Sequence, residues 1–141
     1  MKYFFDTSVL VPALLDEHPH HPASLAALVQ VSKKNACCAA HSLAEVYATL
    51  TRLPRTHRVS GDQAMLFLAD LVKRLTLVAL EGSEYWAAIG EAAAQNISGG
   101  TIYDALLAKC ALKAGAEIIY TWNVGDFERL GKQVARRLQT P

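Results

Sequence analysis

A three-layer α/β sandwich with a mainly parallel central sheet is the fold that the sequence predicts. Short apolar segments of strand type alternate with longer segments of helical periodicity, and no hairpin signal joins two neighbouring strands. The length of 141 residues suits one hydrophobic core, and 52% of the residues are apolar. No internal repeat or linker interrupts the pattern, so we expect residues 1–141 to form one domain.

The opening segment Lys2–Phe5 is predicted to be a strand. Its aromatic residues form an unbroken apolar run, which is typical of a strand buried on both faces. Asp6 then stands at the carboxyl end of this strand, where open α/β sheets bind their ligands. Pro12 can begin a short helix that runs through Leu15, because a missing N–H costs little at a helix start.

The next loop contains three closely spaced histidines between prolines. A metal site there is disfavoured, because no second ligand cluster lies at motif spacing. An amphipathic helix is expected from His21 or Ala23 to Lys34, and the short apolar segment Ala36–Ala40 is predicted to be a second buried strand. The histidines of the loop are His18, His20 and His21.

Two capping-box patterns predict the starts of the following helices. Ser42-x-x-Glu45 precedes apolar residues at helical spacing, which Pro54 brings to an end. Ser60-x-x-Gln63 introduces the next helix in the same way. Between them lies the densest basic cluster, which fits either a solvated loop or a phosphate contact: Arg52, Arg55, His57 and Arg58.

The second half of the chain continues the alternation. Leu75–Leu80 is predicted to be a strand, Ser83–Gln95 a helix and Glu117–Tyr120 a further strand. The helix Thr101–Ala114 is apolar nearly all round, so it should be buried in the core. A short helix can follow from Asp126, and the basic tail is expected to be exposed, with Lys132, Arg136 and Arg137.

Charge and cysteine content exclude several classes of function. The formal net charge of +1 excludes broad polybasic binding, although local arginines can still contact a phosphate backbone. An odd count of cysteines (Cys37, Cys38 and Cys110) without framework spacing argues against a secreted disulfide scaffold. No run approaches about 18 apolar residues, and the N-terminus lacks a signal peptide. We therefore expect a cytoplasmic protein without a membrane span.

Four acidic residues occupy positions that a parallel sheet brings to one edge. Asp6, Glu45 and Asp126 each follow a predicted strand, and Asp104 begins a helix. Each alone has a structural explanation, as a turn residue for Asp6 and as a helix cap for the other three. Taken together they would repel one another and raise each other's pKa values unless cations neutralise them.

Carboxylate clusters without cysteine suit Mg²⁺ or Mn²⁺. Such ions can orient a water molecule and stabilise the charge that develops on a phosphodiester during in-line displacement. The four acids therefore point to a metal-dependent phosphodiesterase.

Four sequence blocks carry a resemblance to a known family. They are Phe5–Leu10, Ser42–Val46, Tyr103–Ala108 and Thr121–Phe127, and they span nearly the whole chain. In this order they resemble the motifs of PIN-domain ribonucleases, specifically the VapC-type toxins of bacterial toxin–antitoxin systems. The resemblance implies a Rossmann-like PIN fold, an Mg²⁺ cofactor (Mn²⁺ being possible) and endonucleolytic cleavage of RNA by metal-activated water. It also implies a cognate antitoxin and a homodimer.

The same resemblance assigns roles to individual residues. Asp6, Glu45 and Asp104 take the three central acid positions, as metal-binding and catalytic residues. The fourth position falls either on Asp126 or on Asn123, where this chain has an amide. Thr7 and Thr121 are expected to fix the carboxylates or water through their hydroxyls. The arginines expected to guide the RNA backbone are Arg52, Arg55 and Arg58.

Other functions compete with this interpretation. The amide at Asn123 keeps open a catalytically inactive PIN-like module that binds RNA or protein. A dinucleotide-binding enzyme is disfavoured, because no G-x-G-x-x-G follows the first strand. A phosphatase with Asp6 as nucleophile would leave the other acids unexplained.

Overall fold

A five-stranded, all-parallel sheet forms the centre of the computed structural model, which describes all 141 residues. The strand order is β3-β2-β1-β4-β5. The strands are β1 Tyr3–Phe5, β2 Ala36–Ala39, β3 Thr76–Val78, β4 Ile118–Tyr120 and β5 Leu138–Gln139. The helices are α1 Thr7–Leu14, α2 His21–Val29, α3 Ala40–Thr51, α4 Gly61–Arg74, α5 Gly82–Ala94, α6 Thr101–Lys113, α7 Val124–Glu128 and α8 Lys132–Ala135.

Two hydrophobic clusters cover the two faces of the sheet. Phe5 and Cys38 belong to the cluster formed with α1 to α4, whereas Phe4 and Cys37 belong to the cluster formed with α6 to α8. Neighbouring residues of a strand point to opposite faces, so these fully buried pairs fill both cores at once. The predicted three-layer α/β sandwich with a parallel sheet is therefore confirmed.

The direction of strand succession reverses between β1 and β4. From β1, the strands β2 and β3 follow toward one edge of the sheet, whereas β4 and β5 follow toward the opposite edge. Phe5 pairs with Tyr120, so the residues that follow them, Asp6 and Thr121, leave the sheet side by side. A crevice at the carboxyl ends of strands at such a reversal is the usual ligand site of an open α/β sheet.

The first helix begins earlier than predicted. It starts at Thr7 rather than at Pro12, because Asp6 acts as its N-cap and accepts the Ser8 N–H at 3.4 Å. Pro12 is consequently an interior residue of α1. The strand end and the helix start are thus joined directly by Asp6, which holds its carboxylate at the edge of the sheet.

One of the two predicted capping boxes is wrong. Helix α3 begins at Ala40 without a side-chain cap, so Glu45 lies in its second turn. Helix α6 also begins without a side-chain cap, which leaves Asp104 in its first turn but outside a capping box with Thr101. Only the Ser60–Gln63 box is confirmed, with both reciprocal hydrogen bonds. The structural explanation that capping offered for Glu45 is therefore removed.

The basic tail exposes Lys132 and Arg136 as predicted, whereas Arg137 is partly buried. It forms α8 and then β5, which pairs in parallel with β4 and covers an edge that would otherwise be open. Arg137 adds a hydrogen bond from its Nε to the carbonyl of Ala116 at 2.9 Å.

Two other helix boundaries differ from the prediction. Helix α2 ends at Val29 and not at the predicted Lys34. Arg74 donates hydrogen bonds to the carbonyls of Val29 and Val31 at this end of the helix. Helix α7 begins at Val124, two residues before the predicted start at Asp126. None of the eight helices combines the length and the hydrophobicity that a membrane span requires.

Candidate active site

An open cavity of about 570 Å³ lies at the carboxyl edge of the sheet. Three carboxylates from three separate elements line it, and no lysine or arginine does. Its wall consists of Asp6, Thr7, Ser8, Val11, Pro12, His18, His20, Glu45, Thr49, Asp104, Leu107, Trp122 and Asn123.

Asp6 is almost fully buried and is held by two hydroxyls. Its Oδ2 accepts hydrogen bonds from Ser8 Oγ at 2.6 Å and from Thr121 Oγ1 at 2.8 Å. These hydroxyls in turn accept the backbone N–H groups of Trp122 and Asn123, at 2.9 and 3.0 Å. Burial raises the pKa of Asp6, and the hydrogen bonds from Ser8 and Thr121 oppose this rise. These side-chain hydrogen bonds all reach Oδ2 and hold the carboxylate in one orientation.

Glu45 projects from the second turn of α3 toward the start of α1. Thr7 Oγ1 donates to its Oε1 at 3.1 Å and lies 3.0 Å from Ser42 Oγ. On the other side, His41 Nε2 is 4.0 Å from the same carboxylate oxygen. Burial raises the pKa of Glu45 and the charge of Asp6 adds to this, whereas Thr7 and His41 lower it.

Asp104 enters the cavity from the first turn of α6 without an ion-pair partner. The next charged residue of its helix, Lys109, pairs with Glu91 instead. The pKa of Asp104 is raised from 3.8 to about 6, first by burial and then by the charges of the other acids: Asp6, Asp126 and Glu45. Arg129 lowers this pKa only in part. The charges of the other three acids therefore all act at Asp104, although Asp126 does not line the cavity.

Asp126 and the arginines lie outside the cavity wall. Asp126 is exposed and forms an ion pair with Arg129 at 2.8 Å, whereas Asn123 belongs to the wall. The predicted role of Asp126 as a ligand stays a prediction. The three arginines of the basic cluster are all exposed on the segment after α3, and their predicted contact with RNA also stays a prediction: Arg52, Arg55 and Arg58.

Several residues of the site were not singled out from the sequence. Ser8 holds Asp6, and Trp122, His18 and His20 line the cavity. The signals available were weak: Ser8 and Trp122 each neighbour a predicted site residue, and the histidines were considered only as metal ligands. Burial lowers the pKa of His18, and the charges of His20 and His21 lower it further.

The donor set fits a hard divalent cation that keeps part of its water shell. No three side chains of Asp, Glu, His or Cys approach closely enough to enclose an ion by themselves. Magnesium commonly binds through one or two carboxylates and several waters, so a full protein cage is not needed. Asp6, Glu45 and Asp104 carry oxygen atoms of this kind, and a cation would relieve the repulsion that, after burial, raises the pKa of Asp104.

Comparison with known proteins identifies the family. Residues 3–133 match the model of the PIN domain. The chain belongs to the PIN-domain family. Ribonuclease VapC40 of Mycobacterium tuberculosis is 34% identical to it over 114 residues, which is 81% of each chain. Ribonuclease VapC27 of the same organism is 34% identical over 113 residues, covering 80% of this chain and 79% of its own. The predicted resemblance to the VapC-type branch of the PIN-domain family is therefore confirmed.

Solved structures show the same PIN fold at lower identity. Mycobacterium tuberculosis VapC20, a toxin that cleaves the sarcin–ricin loop, superposes with a TM-score of 0.72 at 14% identity, covering 89% of this chain and 92% of its own. A chain of VapBC2 from Rickettsia felis, bound to a promoter DNA fragment, gives 0.67 at 19% identity, covering 99% and 98%. At these identities the likeness supports the PIN fold and nothing further.

Proposed function

We propose that this PIN-domain chain is a metal-dependent endoribonuclease and the toxin of a type II toxin–antitoxin pair. One observation carries the proposal. Carboxylates from three separate segments line one cavity, and burial together with the charges of the neighbouring acids raises the pKa of Asp104 to about 6. The ribonucleases to which the chain is 34% identical support RNA as the substrate.

The acids, two threonines and one amide in and around the cavity have proposed roles. Asp6, Glu45 and Asp104 would hold a divalent cation, Mg²⁺ in the first place and Mn²⁺ as a possible substitute. The chemistry that such a cation supplies is the orientation of water and the stabilisation of negative charge on the phosphodiester. Thr7 and Thr121 keep Glu45 and Asp6 oriented through their hydroxyls. Water and Asn123, which lies in the cavity wall, would complete the coordination, and Asp126 acts on the pKa of Asp104 from outside the cavity.

Partners and compartment are proposed on the same basis. Relatives of this fold have been solved as VapBC assemblies from Rickettsia felis and Salmonella typhimurium, which supports an antitoxin as partner. We also propose that the chain forms a homodimer. We propose one domain over residues 1–141, because the strands of one sheet extend from Tyr3 to Gln139. Three free buried cysteines suit action in the reducing cytoplasm: Cys37, Cys38 and Cys110.

Cleavage of RNA by the purified chain, free of antitoxin, tests the proposal. Total bacterial RNA and a circular RNA are incubated with Mg²⁺ or Mn²⁺, with and without a chelator. We expect both RNAs to be cut only when the cation is free, because only an endonuclease opens a circle. Asp6→Asn should abolish cutting, and Asp70→Asn, which changes an exposed acid of α4, should not.

The opposite result has a clear meaning. If the chain binds RNA but shows no chelator-sensitive cleavage, the proposed enzymatic activity is refuted. That result would favour a PIN-like module that only binds RNA. Folding of each variant is checked by circular dichroism, so that loss of activity is not mistaken for loss of structure.

A further inference from the structure

Two aromatic rings stack on each other in the wall of the acidic cavity. The rings of His20 and Trp122 have centroids 3.7 Å apart and planes inclined by only 9°. Both residues line the cavity together with the three carboxylates. Trp122 covers one face of the imidazole, yet His20 remains exposed, so its other face or edge is accessible.

The stacked pair is held in place from both sides. Trp122 donates from its Nε1 to Ser24 Oγ at 2.9 Å, and its backbone N–H donates to Ser8 Oγ at 2.9 Å. The backbone N–H of His20 donates to His18 Nδ1 at 3.0 Å. Prolines at positions 19 and 22 restrict the backbone on either side of His20. An aromatic surface that is already ordered loses little entropy when it binds a ligand.

A hydrogen-bond chain connects the stacked pair to Asp6. Ser8, which accepts the Trp122 N–H, also donates to Asp6 at 2.6 Å. The platform is thus linked through one hydroxyl to the most buried carboxylate of the cavity. A group that rests on the rings would therefore occupy the same cavity as the three carboxylates.

The charge of the cavity excludes simple ionic retention of RNA. Three carboxylates and no lysine or arginine line the wall, so side-chain charge in the cavity does not attract a phosphate. Stacking of a base on an aromatic ring needs no charge on the protein and tolerates any base, since every base has a π-face. Such a contact is the part of RNA recognition that this cavity can supply.

We propose that the stacked His20–Trp122 pair is the platform on which one unpaired base of the RNA rests beside the scissile phosphate. This inference rests on the proposed ribonuclease function and deepens it. The substrate strand would be single-stranded or unstacked at the cleavage site, because a base inside a duplex has no free face. Specificity then depends on RNA shape at this position more than on the identity of the stacked base.

Binding of matched oligomers in the presence of a chelator tests the platform without any turnover. The probes are a short oligoadenylate and an abasic oligomer of equal length and charge. We expect the chain to bind oligoadenylate about five-fold or more tightly than the abasic oligomer. His20→Ala should remove most of this difference, His20→Phe should keep it, and Trp86→Ala, which removes an exposed aromatic ring of α5, should not change it.

Fluorescence and kinetics provide independent readouts. The chain contains two tryptophans, so a Trp86→Phe background isolates the emission of Trp122. Oligoadenylate should change this emission and the abasic oligomer should not. With a cleaved RNA, His20→Ala should raise KM about five-fold or more and leave kcat nearly unchanged, and His20→Phe should restore KM.

Each contrary outcome overturns a separate statement. Equal binding of the two oligomers, or equal loss in His20→Ala and His20→Phe, would mean that the rings only pack the loop, and the platform would be refuted. If oligoadenylate binds in the expected way but no RNA is ever cut, the ribonuclease function fails and the platform survives as a binding site. Circular dichroism confirms that each variant is folded.

Discussion

Replacement of Asp104 by asparagine should stabilise the metal-free domain and abolish RNA cleavage at the same time. Asp104 is ionised at neutral pH although burial and the other acids disfavour its charge, which raises its pKa to about 6. Asparagine has nearly the same shape and carries no charge. If the charge of Asp104 serves to bind a metal ion, this charge should lower the free energy of unfolding when the metal is absent.

The magnitude follows from the pKa of the folded and unfolded chains. A rise from 3.8 to about 6 corresponds to about 3 kcal/mol at about 1.4 kcal/mol per pH unit. Asp104 is only half-buried, and solvent screening reduces the expected gain in the free energy of unfolding to about 1–2 kcal/mol. Because the acid is neutral in both states below pH 3.8, the advantage of asparagine is absent there. It grows as the pH rises toward 6 and is complete above that value.

Urea unfolding of both proteins from pH 4 to 8, with a chelator present, measures this profile. Asp62→Asn is the matched control, because Asp62 also lies in the first turn of a helix but is exposed. Its loss should lower stability by about 0.3–1 kcal/mol through the helix dipole, which is the opposite sign. Added Mn²⁺ should stabilise the original chain more than Asp104→Asn and so reduce the difference between them.

The reasoning would be refuted by a loss of stability in Asp104→Asn like that of the control. Asp104 would then serve the helix dipole, and repulsion among the acids would play no part. A gain that does not depend on pH would be equally contrary, because it could not arise from ionisation.

Three further predictions concern the surroundings of the carboxylates. Thr121→Val removes a hydroxyl that Asp6 accepts, so it should lower the free energy of unfolding by about 1–3 kcal/mol and weaken Mn²⁺ binding about 10- to 100-fold by calorimetry. Asp126→Asn should retain more of the kcat for RNA cleavage than Asn123→Ala, because only the amide lines the cavity. Replacement of Arg52, Arg55 and Arg58 by alanine should weaken RNA binding. It should also reduce the slope of log affinity against log salt concentration by about 2.

The strands and helices were largely predictable because their signals are local. Apolar runs such as Phe4–Phe5 and Cys37–Cys38 are buried on both faces in the sheet, as continuous apolar strands should be. The fifth strand was missed, because Leu138–Gln139 has no pattern of its own and pairs only where β4 offers an edge. Local signals also misled: Ser42-x-x-Glu45 has the form of a capping box, yet Glu45 accepts from Thr7 of another helix.

The sequence by itself determined that acids follow successive strands, and a parallel sheet collects the carboxyl ends of its strands at one edge. Only the tertiary structure decided which of them share the cavity. Asp104 enters it and Asp126 forms an ion pair with Arg129 outside it, although both lie in the first turn of a helix. The His20–Trp122 stack was likewise decided by packing, since its rings come from segments far apart in the chain. Spacing along the chain determines where a backbone turns, whereas contacts between distant side chains determine which atoms meet and how far each pKa moves.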